Sequence, residues 1–173
     1  MIVLQTKRLI LRDLEMGDAD PLAAIYADYD VMKYIGSGVV LKRENAEKSI
    51  KGWEKYQKEK GYANWAVEDK NTGLLIGMCG FSEIPDKTDI EISYLFAKEY
   101  WGKGNATEIV SAVMEYGFQV LKLGRIVALV YPENSASIHV IEKMEMHYEK
   151  EVEFWGKKLL MYSKINPKTD EQG

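Results

Sequence analysis

The tightest constraint in this chain is a glycine turn set between a strand and a long helix. Ile90–Ala97 reads as a strand. From about Ala106 to Leu123 the chain reads as an amphipathic helix, with Ile109, Val113, Tyr116, Val120 and Leu123 on one face. Between the two lies Gly102-Lys103-Gly104-Asn105-Ala106-Thr107. A helix opened by such a turn begins with backbone N–H groups that have no partner inside the helix. The helix dipole adds partial positive charge at the same end. Together they make an anion site, with phosphate the usual anion. Gly124 stands where a left-handed helix cap belongs, and Arg125–Tyr131 follows as a buried-type strand. Strand, helix and strand form a crossover unit, expected to be right-handed with parallel strands.

A glycine pair before a helix is also the ordinary form of a tight strand-to-helix connection. Two phosphate motifs fail on spacing. A P-loop needs a fixed four-residue gap and a terminal Lys-Ser/Thr pair, both missing around Gly102-Lys103-Gly104. A dinucleotide fingerprint needs a third glycine, and that position is Thr107.

The rest of the chain surrounds this unit with short elements. Arg8–Leu14 alternates like a first strand, and Asp18 is a candidate N-cap for a helix running through Pro21 to about Ala27. Gly36-Ser37-Gly38 marks a loop. Glu44–Lys60 carries Ala46, Ile50, Trp53 and Gln57 on one helical face and stops at Gly61. Asn64–Glu68, Leu74–Phe81 and Asp89–Ala97, with short turns between them, make an antiparallel meander. Asn134 or Ser135 caps a short helix reaching about Met144. Two last strands, near His147–Phe154 and Leu159–Ile165, are joined by Trp155-Gly156-Lys157-Lys158, and a polar tail expected to fray begins at Pro167. The fold class is therefore α/β with a mixed sheet. Residues 1–166 are read as a single domain and 167–173 as the tail.

Bulk properties exclude several functions. A net charge of −4 over 173 residues gives no basic nucleic-acid footprint. The single cysteine, Cys79, cannot support a disulfide framework. The start, MIVLQTKRLILRD, is broken by Gln5, Lys7 and Arg8 and does not read as a signal peptide. No stretch approaches a membrane span, so a cytoplasmic location is expected.

Trp101-Gly102-Lys103-Gly104-Asn105-Ala106 resembles the coenzyme A pattern of the GNAT N-acetyltransferase superfamily, Gln/Arg-x-x-Gly-x-Gly/Ala. Tyr100-Trp101-Gly102-Lys103-Gly104 is similar to the form found in the ribosomal-protein N-terminal acetyltransferase branch, RimJ/RimL-like. Thr6-Lys7-Arg8-Leu9-Ile10-Leu11-Arg12 resembles that branch's T-x-R-L-x-L-R opening. Ile76-Gly77 and Gly80-Phe81 resemble its third strand, and Asp89-Ile90-Glu91-Ile92-Ser93-Tyr94 its fourth. Asn134-x-x-Ser137 with Val140-Ile141-Glu142-Lys143 resembles its N-x-x-S-x-x-V-x-E-K segment. Two positions depart. Ser93 stands for a glycine where the strand often bulges. Glu145-Met146 replaces Gly-Phe, and since a left-handed Glu145 costs roughly 1–2 kcal/mol, the helix is expected to end differently there.

The resemblance implies acetyl transfer from acetyl-CoA to a primary amine, without a covalent enzyme intermediate and without a metal. It implies that Leu95, Phe96 and Ala97 run along the pantetheine arm. It further implies that the turn (Trp101, Gly102, Lys103, Gly104, Asn105, Ala106, Thr107) holds the pyrophosphate. Lys103 either adds charge to a phosphate or is a solvated turn lysine. Glu91, on the strand beside the thioester, is the first choice of base against a plain surface glutamate, with Glu83 as substitute. Ser137 is the candidate partner of the leaving sulfur, or a helix-capping residue. Asn134 bonds the coenzyme or only caps its helix. Tyr94 and Tyr131 read as packing residues with satisfied hydroxyls. Cys79 reads as a buried structural thiol. His139 and His147 form no metal-spaced cluster. Trp53, Tyr56, Tyr62 and Trp65 line an acceptor pocket or pack helix on sheet. The acceptor is a protein N-terminus or a small amine, and a homodimer stays open. A non-catalytic acyl-CoA sensor and a pure interaction module are the competing readings.

Overall fold

The structure, a computed structural model, describes residues 1–170. Its elements in chain order are β1 (Ile2–Gln5), β2 (Leu9–Arg12), α1 (Ala19–Ala27), α2 (Tyr29–Met32), α3 (Arg43–Lys60), β3 (Asn64–Asp69), β4 (Leu75–Glu83) and β5 (Ile90–Phe96). They continue with α4 (Asn105–Gln119), β6 (Arg125–Val130), α5 (Ser135–Lys143), β7 (His147–Phe154), β8 (Lys157–Ile165) and α6 (Pro167–Asp170). One sheet of eight strands runs in the order β1-β2-β3-β4-β5-β6-β8-β7. Every neighbouring pair is antiparallel except β5 with β6, the crossover expected from the sequence.

The sheet is covered on both faces. α1 and α3 bring Leu22, Ile25, Ala46 and Ile50 onto Ala66 and Met78. α4 and α5 bring Ile109, Val113 and Ile141 against a second cluster containing Trp65, Phe81, Ile92 and Phe96. α4 lies close on the sheet because Gly117 lets it. A Cβ there would stand 2.6 Å from the Phe81 ring, so a helix interior tolerates a residue that costs it about 1 kcal/mol in propensity. α3 ends as expected at Gly61, with φ 82°.

Several details depart from expectation. β1 is an additional strand, an apolar run with no alternation to announce it, and it pairs with β2. Asp18 precedes α1, but its carboxylate makes no cap bond to that helix. It is gripped instead by both Nη atoms of Arg12 at 2.9 Å and accepts the Glu15 N–H at 2.8 Å. α4 stops at Gln119, and the left-handed position falls on Lys122 (φ 57°) rather than Gly124. Asn166, distant in sequence, explains the early stop: its side-chain amide donates to the carbonyls of Phe118 (3.2 Å) and Leu123 (3.0 Å). The same Asn166 accepts the Lys168 N–H at 3.1 Å, so the tail begins as α6 rather than as a frayed end. Residues 171–173 of that tail lie outside the described residues.

Glu145 does adopt the left-handed conformation, with φ 60°. Its N–H bonds to Glu142 O (2.9 Å), and the Met146 N–H bonds to Ile141 O (3.4 Å). That is a Schellman closure, and buried Met146 supplies its hydrophobic contact and offsets the strain. Ser93 sits in continuous register with Gly80, so the β4–β5 ladder has no bulge there.

Candidate active site

β5 and β6 meet at one register pair, Glu91 with Val127. β5 stays on β4 as far as Phe96, and β6 pairs along its length with β8. The two strands therefore splay, and β5 from Ile92 onward has an open edge. Ala97 N–H donates to Ile76 O at 2.9 Å, toward β4. By the two-residue alternation of a strand, the main chain of Leu95 faces β4 as well, while that of Tyr94 and Phe96 faces the gap. The Phe96 carbonyl accepts the Trp101 indole N–H at 2.9 Å across that gap. Of the three residues expected along an extended arm, Phe96 alone turns its backbone to the opening, and Tyr94 joins it. Strand geometry cannot offer three consecutive residues to one edge.

A cavity of about 810 Å³ fills the splay. The glycine turn forms one end of it, with Gly102 at φ 71° and Gly104, the N-cap of α4, at φ 80°. Among the described residues, none of the six amides from Gly102 to Thr107 has a hydrogen-bond partner in the chain. Five of these residues line the cavity, Lys103 being the exception. The Lys103 ammonium lies 5.4 Å from the centre of the Tyr100 ring, a cation–π position. Buried Asn105 donates its side-chain amide to Tyr100 O at 3.1 Å, so that side chain braces the turn.

The turn is held from the other end of the chain. One Glu108 oxygen, in the first turn of α4, accepts the Thr6 hydroxyl (2.7 Å) and the Arg8 N–H (2.8 Å). The other accepts Arg8 Nε at 2.7 Å. Arg8 also donates to the Lys103 carbonyl at 2.8 Å. Burial pushes the Glu108 carboxyl up, but these donors more than offset it and hold the group below its usual range. The Thr6-x-Arg8 pair, part of the opening motif that carries the family resemblance, is a latch on the phosphate turn. The pairing with Glu108 spans 100 residues, and no local pattern signals it.

Glu91 lines the cavity, and burial pushes its carboxyl up to about 7, opposed by a hydrogen bond with Ser82. Glu83, its substitute, is ion-paired with Lys60 at 2.9 Å and lies outside the cavity lining. Alternation puts Glu91, Ser93 and Leu95 on one face of β5 and Tyr94 on the other. The Tyr94 hydroxyl donates to Ser137 Oγ at 2.9 Å, which leaves the Ser137 proton free for another acceptor. Burial raises the Tyr94 hydroxyl's pKa. Tyr94 is thus more than a packing residue, and its approach to α5, 43 residues away, has no local sequence signal. Asn134 caps α5 by accepting the Ser137 N–H at 3.2 Å, and both residues line the cavity. Tyr131 donates to Gly36 O at 2.6 Å and closes the loop after α2 over the cavity.

The remaining candidates separate cleanly. Cys79 is fully buried, its thiol pushed well up by burial. No group of three or more metal-ligating side chains occurs among the described residues. Of the four aromatics, Trp53 lines the cavity. Trp65 is buried and donates to Gln57 at 3.1 Å, and Tyr56 and Tyr62 pack edge-on at 5.9 Å.

The pattern of the acetyltransferase (GNAT) domain matches residues 8–147. The chain belongs to the GNAT acetyltransferase family. YkkB of Bacillus subtilis is 39% identical over 168 residues, 93% of this chain and 94% of that protein. The N-acetyltransferase YoaA of the same organism is 35% identical, over 85% of this chain and 84% of its own. A GNAT acetyltransferase from Bacillus anthracis superposes with TM-score 0.80 at 28% identity, over 96% of this chain and 99% of that one. Two further structures share the fold. RimL, a ribosomal L7/L12 N-protein acetyltransferase with coenzyme A, has TM-score 0.80 at 19% identity over 95% of this chain and 98% of its own. Spermidine N-acetyltransferase of Vibrio cholerae, with CoA and spermine, has TM-score 0.77 at 23% identity over 92% and 96%. The protein is an acyltransferase of the N-acetyltransferase class.

Proposed function

We propose that this enzyme transfers the acetyl group of acetyl-CoA directly to a primary amine, on a protein N-terminus or a small molecule. The supporting observation is the run of six unpartnered amides opening α4, at one end of a cavity whose other residues include the half-buried carboxyl of Glu91, pushed up to about 7 by desolvation. On this reading residues 1–166 act as one acetyltransferase domain of RimJ/RimL-like kind in the cytoplasm, with 167–173 as an appended tail.

The amides from Gly102 to Thr107 hold the pyrophosphate, with α4's dipole behind them. Trp101 fixes Phe96, and the gap-facing backbone of Tyr94 and Phe96 pairs with the pantetheine arm. Glu91 takes a proton from the acceptor ammonium or attacking amine, directly or through water. The amine nitrogen forms a bond to the thioester carbon as the carbon–sulfur bond breaks. A main-chain N–H on the open edge of β5 stabilises the charge that builds on the carbonyl oxygen. Sulfur leaves toward the Ser137 hydroxyl, which Tyr94 orients and Asn134 positions through the helix start. Glu91 and Tyr94 lie on opposite faces of β5, so proton removal and sulfur departure proceed on opposite sides of the strand.

The test follows free thiol released from acetyl-CoA against a panel of amines and N-terminal peptides, with the acetylated product identified by mass. Thiol release matched by acetyl-amine supports the proposal. Saturable CoA binding with no release on any acceptor makes the chain a sensor and overturns it.

A further inference from the structure

We infer that the preferred acceptor carries an apolar group about the size of a benzene ring close to its amine, and that this group enters a side pocket beneath the loop joining α2 to α3. The inference rests on the acetyl-transfer reading and specifies the acceptor that reading leaves open.

A second cavity of about 170 Å³ lies beside the first, with Tyr26, Met32, Leu41 and Met78 at its far end. Ile35, Trp53, Asn64, Ser93, Tyr94 and Leu95 line both, so the two adjoin along one shared wall. Ser93 and Leu95 share their face of β5 with Glu91, and Ser93 lies about 7 Å along the strand from it. A group seated beside Ser93 is thus a few bonds from an amine presented to Glu91.

The chemistry of the walls selects the occupant. None of the side chains lining the side pocket is charged. Its hydroxyls are already engaged: the Tyr26 hydroxyl donates to Ser49 Oγ at 2.9 Å and lies 4.0 Å from Met78 Sδ, the Tyr94 hydroxyl donates to Ser137 Oγ at 2.9 Å, and Ser93 Oγ donates to Asn64 Oδ1 at 3.1 Å. A second ammonium entering here loses its water and meets no counter-charge. Nor does the main cavity make up the deficit. Asp30 in its wall is held by Lys98 at 2.5 Å, and Glu133 sits beside Asn134 at the α5 end. An apolar chamber of roughly 150 Å³ in another protein stays dry and takes up benzene. The dimensions here match a phenyl or branched alkyl group, and a polyamine is a poor fit.

Such a group can come from a free amine or from the first side chain of a peptide, and the experiment carries both. With acetyl-CoA saturating at pH 8, thiol release is measured on ethylamine, isoamylamine and phenethylamine, on spermidine, and on peptides beginning with Gly, Leu or Phe. The expected result is a kcat/KM that rises about 100-fold from the smallest to the bulkiest apolar group in at least one series, the scale that apolar pockets reach. The series that rises identifies the source, and spermidine stays near ethylamine. In Leu41→Trp, which fills the far end of the side pocket, the bulky-to-small ratio falls toward one. A flat response in both series, or spermidine as the best acceptor, overturns the inference while leaving acetyl transfer intact. No thiol release on any acceptor instead removes the reading beneath it.

Discussion

Replacing Glu91 by Gln separates the proposed base from everything else in the cavity. Burial holds this carboxyl at about 7 in the folded protein. At pH 6 about a tenth of the free enzyme carries the carboxylate and at pH 8 about nine tenths, so kcat/KM for the acceptor, corrected for the acceptor's own ionisation, should rise roughly tenfold across that interval. In Glu91→Gln the limb should vanish, and kcat at pH 8 should drop by ~10²–10⁴, the usual contribution of a positioned base. The KM for acetyl-CoA should hold, because the turn that binds phosphate is untouched. A continuous thiol-release assay reads both quantities. Thermal unfolding adds a check independent of activity. The folded-state value lies above the ordinary 4.5, so the folded protein keeps a proton that the unfolded chain loses between pH 4.5 and about 7. Stability from this site is complete below 4.5 and is lost as pH rises through 7. The melting temperature of Glu91→Gln relative to the parent should therefore climb across that window and level off above it. A variant that retains the pH 6–8 limb, or most of its turnover, refutes Glu91 as the base.

Two further substitutions probe the supports of the site. Arg8→Ala breaks the latch on Glu108 and Lys103 O; KM for acetyl-CoA should rise about tenfold with kcat little changed, on the scale of one charge-assisted hydrogen bond. Arg8→Lys should not restore it, since an ammonium cannot bridge both acceptors as the guanidinium fork does; equal loss in kcat and KM would argue against a purely positional role. Arg12→Ala strands the carboxylates of Asp18 and Glu68, which Arg12 holds at 2.9 and 2.6 Å with little exposure. Urea unfolding should show a loss of about 3–5 kcal/mol, as for other broken buried pairs, and a loss under 1 kcal/mol would contradict that network's importance.

Much of the fold was legible because its signals are local. The turn-bounded strands at Asn64–Asp69 and Ile90–Phe96, the Gly61 stop of α3 and the glycine turn before α4 each follow from a few adjacent residues. The parallel crossover follows from strand-helix-strand order. Contacts between distant segments were not legible. Asn166 caps α4 from the far end of β8, so the helix ends before the expected Gly124. Glu145 accepts left-handed strain because Met146 finds a buried seat, which depends on tertiary packing. In the site, both the position of Glu91 on its strand face and the upward push of a partly dry cleft on its carboxyl could be read, since each follows from its place on β5 beside the opened edge. The Tyr94–Ser137 bond, the Arg8–Glu108 latch and the side pocket each join elements that the sequence separates widely.

The central claim is that main-chain donors from Gly102 to Thr107 grip a diphosphate. Calorimetric titration of coenzyme A into Gly104→Glu and Gly104→Ala tests it most directly. Both variants carry the strain of a side chain at φ 80°, about 1–2 kcal/mol, so the alanine protein controls for folding. A carboxylate about 4 Å from a phosphate charge near the surface costs up to ~4 kcal/mol. The glutamate protein should therefore bind about 100-fold more weakly than the alanine protein, within that ceiling. Equal affinity in the two folded variants would contradict the account.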